Sequence, residues 1–310
     1  MPYSHHSHSG QFCKHASGTL EEVVLEAIRQ GFKVFGLTEH VPRYRHADLY
    51  PEEEGMTLDA LSDQFSAFLE EAHRLKALYS DKINLLVGLE TEYISPRDLE
   101  GLDDVLQRHG KKIEYIVGSV HHVNGIPIDF DLDTYKRSLA SFPLDTDNTG
   151  RNQQEAFLCT YFDAQYELMQ RYRPEVIGHI DLCRLYEPDL TLSDFPSAWE
   201  KLRRNVEFAV GYGALFELNA AAFRKGWASS YPGRDVMIQQ YHGRFALSDD
   251  SHGPHAVGLN YRRLVEYGRE ADIDNLWFLQ SSEKPNGAGR FVHAVKVEGD
   301  WREDTFWISR

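Results

Sequence analysis

Fifteen histidines are distributed over the 310 residues, and several stand where an apolar run stops. His6-Ser7-His8 and Asp250-Ser251-His252 each put two donors at i and i+2, on one face of an extended segment. His40 closes Leu37-Thr38-Glu39-His40, Glu90 closes Val87-Gly88-Leu89-Glu90, His121 closes Val117-Gly118-Ser119-Val120-His121, and His179 closes Val176-Ile177-Gly178-His179. With His15, the candidate set is His6, His8, His15, His40, Glu90, His121, His179, Asp250 and His252. Neutral imidazole and carboxylate are the ordinary ligands of Zn2+, Mn2+ or Fe, and a carboxylate has two oxygens with which to bridge two ions. Taken singly, each residue also reads as a hydrogen-bonded core histidine or a capping acid. Their recurrence at the ends of predicted strands argues instead for a multinuclear metal site. His5 permits a second register, but the H-x-H spacing selects His6 and His8 and turns His5 to the opposite strand face.

Such donors meet only if the strand ends meet, and the pattern of elements supplies this. Thr19-Leu20-Glu21-Glu22 is a capping box opening a helix that Gly31 closes. A strand follows over Lys33 to Thr38, then a helix over Leu58 to Tyr79 with Leu58, Leu61, Phe65, Phe68, Ala72, Leu75 and Tyr79 on one stripe. Strands over Ile83 to Val87, Tyr115 to Val120, Val176 to Gly178, Ala214 to Leu218 and Phe245 to Leu247 alternate with helices. The helices are expected near Pro96 to Arg108, around Leu158 to Met169, over Ser197 to Val210 and around Asp235 to Tyr241. About seven βα units predict one parallel barrel over residues 1–310, with its site at the C-terminal ends of the strands. Loops are expected at Val41 to Met56, Asp145 to Gln154 and Ser281 to Arg290, the long excursions after strands two and four serving as walls of the site.

Composition narrows the partners. A formal charge of −15 and the lack of a basic, aromatic-studded track argue against nucleic acid or an anionic membrane as partner. No run of about 18 apolar residues is present, and the first strand motif lies too near Met1 to leave room for a secretory leader. Cys13, Cys159 and Cys183 form no C-x-x-C pair, which suits a reducing cytoplasm. Cys13, between His8 and His15, lies where it could join the site as a ligand, but the preferred reading of all three cysteines is as small, mostly buried thiols.

The chain resembles the PHP family, named for its polymerase and histidinol phosphatase members. Its motifs are met by His6-Ser7-His8, Thr38-Glu39-His40, Gly88-Leu89-Glu90 with Ser119-Val120-His121, and Asp250-Ser251-His252. The segments Ile177 to Arg184, and Glu217-Leu218-Asn219 running to Arg224-Lys225 and Tyr231-Pro232, resemble the branch that hydrolyses histidinol phosphate. The likeness spans roughly residues 1 to 260. It implies a distorted (β/α)7 barrel holding three divalent ions, with Zn, Mn or Fe as candidates. His6, His8, Glu90 and Asp250 would hold the first, Glu90, His121 and His179 the second, and His15, His40 and His252 the third. It further implies hydrolysis of L-histidinol phosphate in histidine biosynthesis.

For that reaction a metal-bridging hydroxide near Glu90 and Asp250 is the expected nucleophile. Arg184 and Arg224 follow predicted strands and offer bidentate phosphate contacts, with Arg43, Asn219 and Lys225 as further substrate residues. His122 or His255 would protonate the leaving alkoxide. Two other readings compete: a PHP-type nucleotide phosphatase or nuclease, which the acidic charge disfavours, and a non-enzymatic metal-binding protein, which would close every coordination position.

Overall fold

The computed structural model describes residues 2–144, 150–236 and 238–308. Seven parallel strands form its sheet: β1 (Tyr3–Ser4), β3 (Val34–His40), β4 (Asn84–Glu90), β5 (Tyr115–Gly118), β8 (Val176–Ile177), β9 (Leu215–Asn219) and β10 (Arg244–Ser248), hydrogen-bonded in that order. Two short strands, β2 (Ser7–His8) and β11 (Ser251–His252), continue β1 and β10 after a two-residue break in each and pair with one another in parallel. The ring is drawn shut across this seam, where the Ser4 hydroxyl donates to Asp249 Oδ1 at 2.8 Å. The expectation of a (β/α)7 barrel is met.

The helices are α1 (Leu20–Arg29), α2 (Leu58–Leu78), α3 (Pro96–His109), α4 (Leu132–Ala140), α5 (Arg151–Tyr172), α6 (Pro196–Tyr212), α7 (Ala221–Arg224), α8 (Tyr261–Glu270) and α9 (Thr305–Ile308). Thr19 forms the expected capping box with Glu22, and Gly31 follows the end of α1 at φ +83. The apolar stripe of α2 buries Leu61, Phe65, Phe68, Leu69, Ala72 and Leu75. None of the helices among the described residues is long and apolar enough to cross a membrane.

Beneath the site, Tyr115 is fully buried and donates its hydroxyl to the His5 carbonyl at 2.7 Å. Gly36 and Gly88 make room for it: a Cβ at Gly36 would lie 2.0 Å from that hydroxyl, and one at Gly88 would lie 2.7 Å from the ring. Small residues on β3 and β4 thus let one large side chain brace the chain where it turns from β1 toward His6.

Three sequence expectations change. The helix around Asp235 to Tyr241 is absent among the described residues, and Ile238–Tyr241 make one 3-10 turn. The carboxylate of Asp235 is held by Arg184, and the Gly233 amide by Asp181, so side-chain bonds fix this backbone instead of a helical ladder. Of the loop over Asp145 to Gln154, residues 145–149 lie outside the described residues, and Arg151 to Gln154 open α5. The C-terminal segment carries an antiparallel hairpin, β12 (Trp277–Ser281) with β13 (Val292–Lys296), joined across the expected loop. Arg290 fastens it to Glu175, the residue before β8. A smaller hairpin, β6 (His122–Val123) with β7 (Ile126–Pro127), stands in the excursion after β5.

Candidate metal centre

His40 and Glu90 are the last residues of β3 and β4 and are register partners. His121 and His179 follow β5 and β8. His6 and Asp250 occupy the two breaks that flank the seam, and His8 and His252 pair beyond it. Asp250 sits at φ +47, a left-handed conformation that a short acidic residue tolerates better than most. The strand-end logic therefore brings all nine candidates to one end of the barrel.

They fall into donor groups of the right size for a cation. His6 Nε2 and His8 Nε2 are 3.1 Å apart, and both face Glu90 Oε2, at 3.1 and 3.2 Å. Asp250 Oδ1 completes this group, 3.7 Å from His6 and 3.9 Å from His8. The other oxygen of Glu90, Oε1, faces His121 Nε2 at 3.3 Å and His179 Nε2 at 3.2 Å. One carboxylate thus serves two groups, one with each oxygen. A third group gathers His15, His40 and His252, with their donor atoms within 4.8 Å of each other and of the Cys13 sulfur.

A second layer of carboxylates, which the sequence reading passed over, orients these rings. Glu217 Oε1 lies 2.9 Å from His6 Nδ1, Glu92 Oε2 3.0 Å from His121 Nδ1, and Glu39 Oε2 3.3 Å from His8 Nδ1. With Nδ1 protonated and donating to the acid, each ring presents its Nε2 lone pair to the centre, the tautomer a metal requires. Each of these acids lies one or two residues from a ligand candidate or in mid-strand: Glu39 beside His40, Glu92 two beyond Glu90, and Glu217 two before Asn219. That spacing was the available signal.

The electrostatics fit cation binding. Burial opposes charge on every group, yet the surrounding imidazoles hold Glu90 and Glu92 well below the usual carboxylate range. Burial likewise opposes a proton on His8, but its bonds to Glu39 and Glu90 prevail and raise it to about 9. Burial and the nearby His8 lower His40 to about 3 and His15 to about 4. Both ring nitrogens of His40 are buried without an aligned hydrogen bond, although Nδ1 lies 3.1 Å from carboxylate oxygens of Glu90 and Glu92, an arrangement a ligand role would satisfy. The rings of His8 and His40 stack at 4.4 Å, and His252 lies 4.6 Å from His8. Imidazoles packed this closely cannot all be cationic, whereas neutral rings around a divalent ion are stable.

The cleft above the cluster is lined by His15, His40, Tyr50, Glu90, His121, Asp129, Phe130, His179, Arg224, Lys225, Tyr231, Asp250, His252 and His255, among others. Tyr50 comes from the excursion after β3, and Asp129 and Phe130 from that after β5, as expected for walls of the site. Arg224 and Lys225 are exposed at the rim. His255 is exposed there too, its Nδ1 3.2 Å from the Ser17 hydroxyl.

Four expected contact residues sit elsewhere. Arg184 is buried behind the cleft with its guanidinium donating to Asp181, Asp235 and the Leu190 carbonyl, so its donors are already committed. Arg43 is buried 4.2 Å from the centroid of the Tyr50 ring, 3.8 Å from both Glu53 and Glu92. It supports Tyr50, whose hydroxyl donates to Glu92 at 2.8 Å. Asn219 is fully buried and donates to Glu217 at 2.9 Å, while its oxygen accepts from the Ala221 amide. His122 is buried 3.6 Å from Glu92 and is absent from the cleft wall. His5 turns away from the cluster, accepting the Leu279 amide on Nε2 at 2.9 Å.

Comparison with known proteins agrees with this geometry. The family model for the PHP domain matches residues 4–221. The chain belongs to the PHP family. Over 307 residues this PHP chain is 45% identical to a Schizosaccharomyces pombe protein described as a probable histidinol-phosphatase, covering 97% of this chain and 96% of that one. It is 31% identical over 343 residues to the histidinol-phosphatase of Saccharomyces cerevisiae, covering 99% of each. The PHP fold also superposes, at TM-score 0.60 and 18% identity, on histidinol phosphate phosphatase from Lactococcus lactis, crystallised with Zn, L-histidinol and phosphate. That match covers 89% of this chain and 95% of the other.

Proposed function

We propose that this protein is a metal-dependent phosphomonoesterase that hydrolyses L-histidinol phosphate to L-histidinol and phosphate, a reaction of histidine biosynthesis. The observation that carries the reading is the two-sided Glu90 carboxylate among His6, His8, His121 and His179 at the floor of an open cleft. The names of the two yeast relatives, and the ligands of the Lactococcus structure, support the substrate.

Three cations fit the donors: one with His6, His8, Glu90 and Asp250, a second with Glu90, His121 and His179, and a third with His15, His40 and His252. When bound, they supply Lewis-acid neutralisation of the phosphoryl oxygens and acidify the attacking water. Glu217, Glu92 and Glu39 keep the ligand rings in the required tautomer, and Asn219 orients Glu217. Arg224 and Lys225, at the rim, meet the outer phosphate oxygens. His255 stands at the mouth of the cleft, where it could assist the departing alkoxide. Asp129 faces the cleft beside Phe130, with burial raising its pKa against the opposing pull of His121 and Lys225, and its carboxylate is placed to receive the substrate's cationic ammonium or imidazolium.

Phosphate release measured across histidinol phosphate, nucleotides and p-nitrophenyl phosphate, with metal content from the same preparation, tests the reading. Preference for histidinol phosphate and loss of activity on chelation are expected. Full activity in verified metal-free protein would refute metal dependence, and a preference for nucleotides would refute the substrate.

A further inference from the structure

The third donor group contains a residue of different chemistry from the rest. Cys13 is buried at 5% exposure, and its sulfur lies 3.2 Å from His15 Nε2 and 3.5 Å from His15 Nδ1. Its sulfur and the ring nitrogens of His15, His40 and His252 lie within 4.8 Å of one another. A tetrahedral zinc site with one sulfur and three nitrogens has donor-to-donor edges of about 3.4–3.6 Å, given Zn–S near 2.3 Å and Zn–N near 2.0–2.1 Å. The four donors are already gathered within 4.8 Å and would draw closer to reach that size.

The loop that carries Cys13 is fixed at both ends. The Cys13 amide donates to the Ser9 carbonyl at 2.8 Å, and the Ala16 amide to the Cys13 carbonyl at 3.1 Å. The Ser17 amide then donates to the His252 carbonyl at 3.2 Å, joining the loop to the strand that bears another member of the group. Cys13 and His15 are thereby presented side by side toward His40 and His252. Glu39, which also approaches Cys13, is occupied by the Ser9 amide and hydroxyl and by His8. Cys159 and Cys183 join no metal-donor group among the described residues.

We propose that Cys13, as thiolate, is the fourth protein ligand of the cation held by His15, His40 and His252. The inference rests on the three-cation reading above. As the sulfur–metal bond forms, the thiol proton passes to solvent, so binding at this position releases a proton. A soft sulfur donor selects zinc over manganese or magnesium there. Four protein donors would give this cation as many protein ligands as the His6, His8, Glu90 and Asp250 position, leaving the Glu90, His121 and His179 position the one with three.

Cobalt loading of the full chain gives a readout independent of turnover. The wild type should bind three equivalents and show a near-ultraviolet thiolate-to-cobalt charge-transfer band. Cys13→Ser should lose the band and hold its third equivalent about tenfold more weakly or worse, while the double variant C159S/C183S should keep it. Three bound equivalents with no band, or a band that survives in Cys13→Ser, overturns the thiolate ligand and leaves the three-cation reading standing. Two equivalents in fully active wild type overturns both. If Cys13→Ser does not fold, zinc-edge X-ray absorption of C159S/C183S decides: one sulfur neighbour per three zinc ions supports the assignment, and none overturns it.

Discussion

His40 and Glu90 end neighbouring strands in register, with His40 Nδ1 3.1 Å from Glu90 Oε2. Because the same carboxylate turns its other oxygen to His121 and His179, it touches every part of the centre. Glu90→Gln should therefore cost more than one cation. We expect metal content to fall by more than one equivalent and phosphate release by about 10³-fold or more, as loss of several kcal/mol of charge stabilisation would give. Retention of three equivalents in this variant would contradict the bridging role.

Asp129 offers a test of substrate recognition apart from metal chemistry. Asp129→Asn removes the charge and keeps the shape. KM for histidinol phosphate should rise about tenfold, the worth of one charge-assisted hydrogen bond, with KM for p-nitrophenyl phosphate and metal content unchanged. Equal effects on both substrates would show that Asp129 does not read the cationic end.

His5 predicts a pH dependence of stability. Burial lowers its pKa to about 4, against about 6.5 in an unfolded chain. The unfolded chain gains a proton as pH falls through 6.5, and the folded protein resists it until about 4. This contribution is complete above pH 6.5 and is lost as pH falls toward 4, to a limit of about 3 kcal/mol. Denaturant unfolding at pH 7 and pH 4.5 should show a smaller difference in His5→Asn than in wild type; equal differences would exclude His5 as the source.

Arg290 reports on whether the C-terminal hairpin is integral to the barrel. Its Nε lies 2.7 Å from both Glu175 oxygens, and its Nη2 donates to the Tyr172 and Arg173 carbonyls at 2.8 Å. Glu175 also accepts the Ile116 amide of β5. Arg290→Ala strands a buried carboxylate and should destabilise the whole chain by about 3 kcal/mol, seen as one shifted cooperative transition. Separate melting of the hairpin with the barrel unchanged would mean that residues 1–310 are not one folding unit.

The ligand candidates were legible because strand ends in a parallel barrel have one destination. Any donor closing an apolar run must arrive at the same face, whatever lies between. The supporting acids were less so, since Glu39, Glu92 and Glu217 differ from surface acids only by which ring they meet across 29 to 211 residues. Arg184 has the sequence position of a phosphate ligand, but Asp181 and Asp235 claim its donors. That pairing depends on a turn at 233–236 that no helical periodicity encodes. The hairpin at Trp277–Lys296 was missed for a related reason: its strands are partly exposed and pair only with each other, so their alternation is weak.

The seam between β2 and β11 has one more consequence. Ser4 and Asp249 are 245 positions apart, and the backbone link between those ends is only two residue pairs long. A cation held by His6 and His8 on one side and Asp250 on the other would be a reversible crosslink between the first and last strands of the barrel sheet. Because its donors meet only when the seam is formed, such an ion would favour the closed, folded ring as well as completing the site. The ring's weakest joint and its chemistry coincide, so stripping the ions should loosen this hoop at the seam first, visible as faster amide exchange confined to residues 4–8 and 249–252.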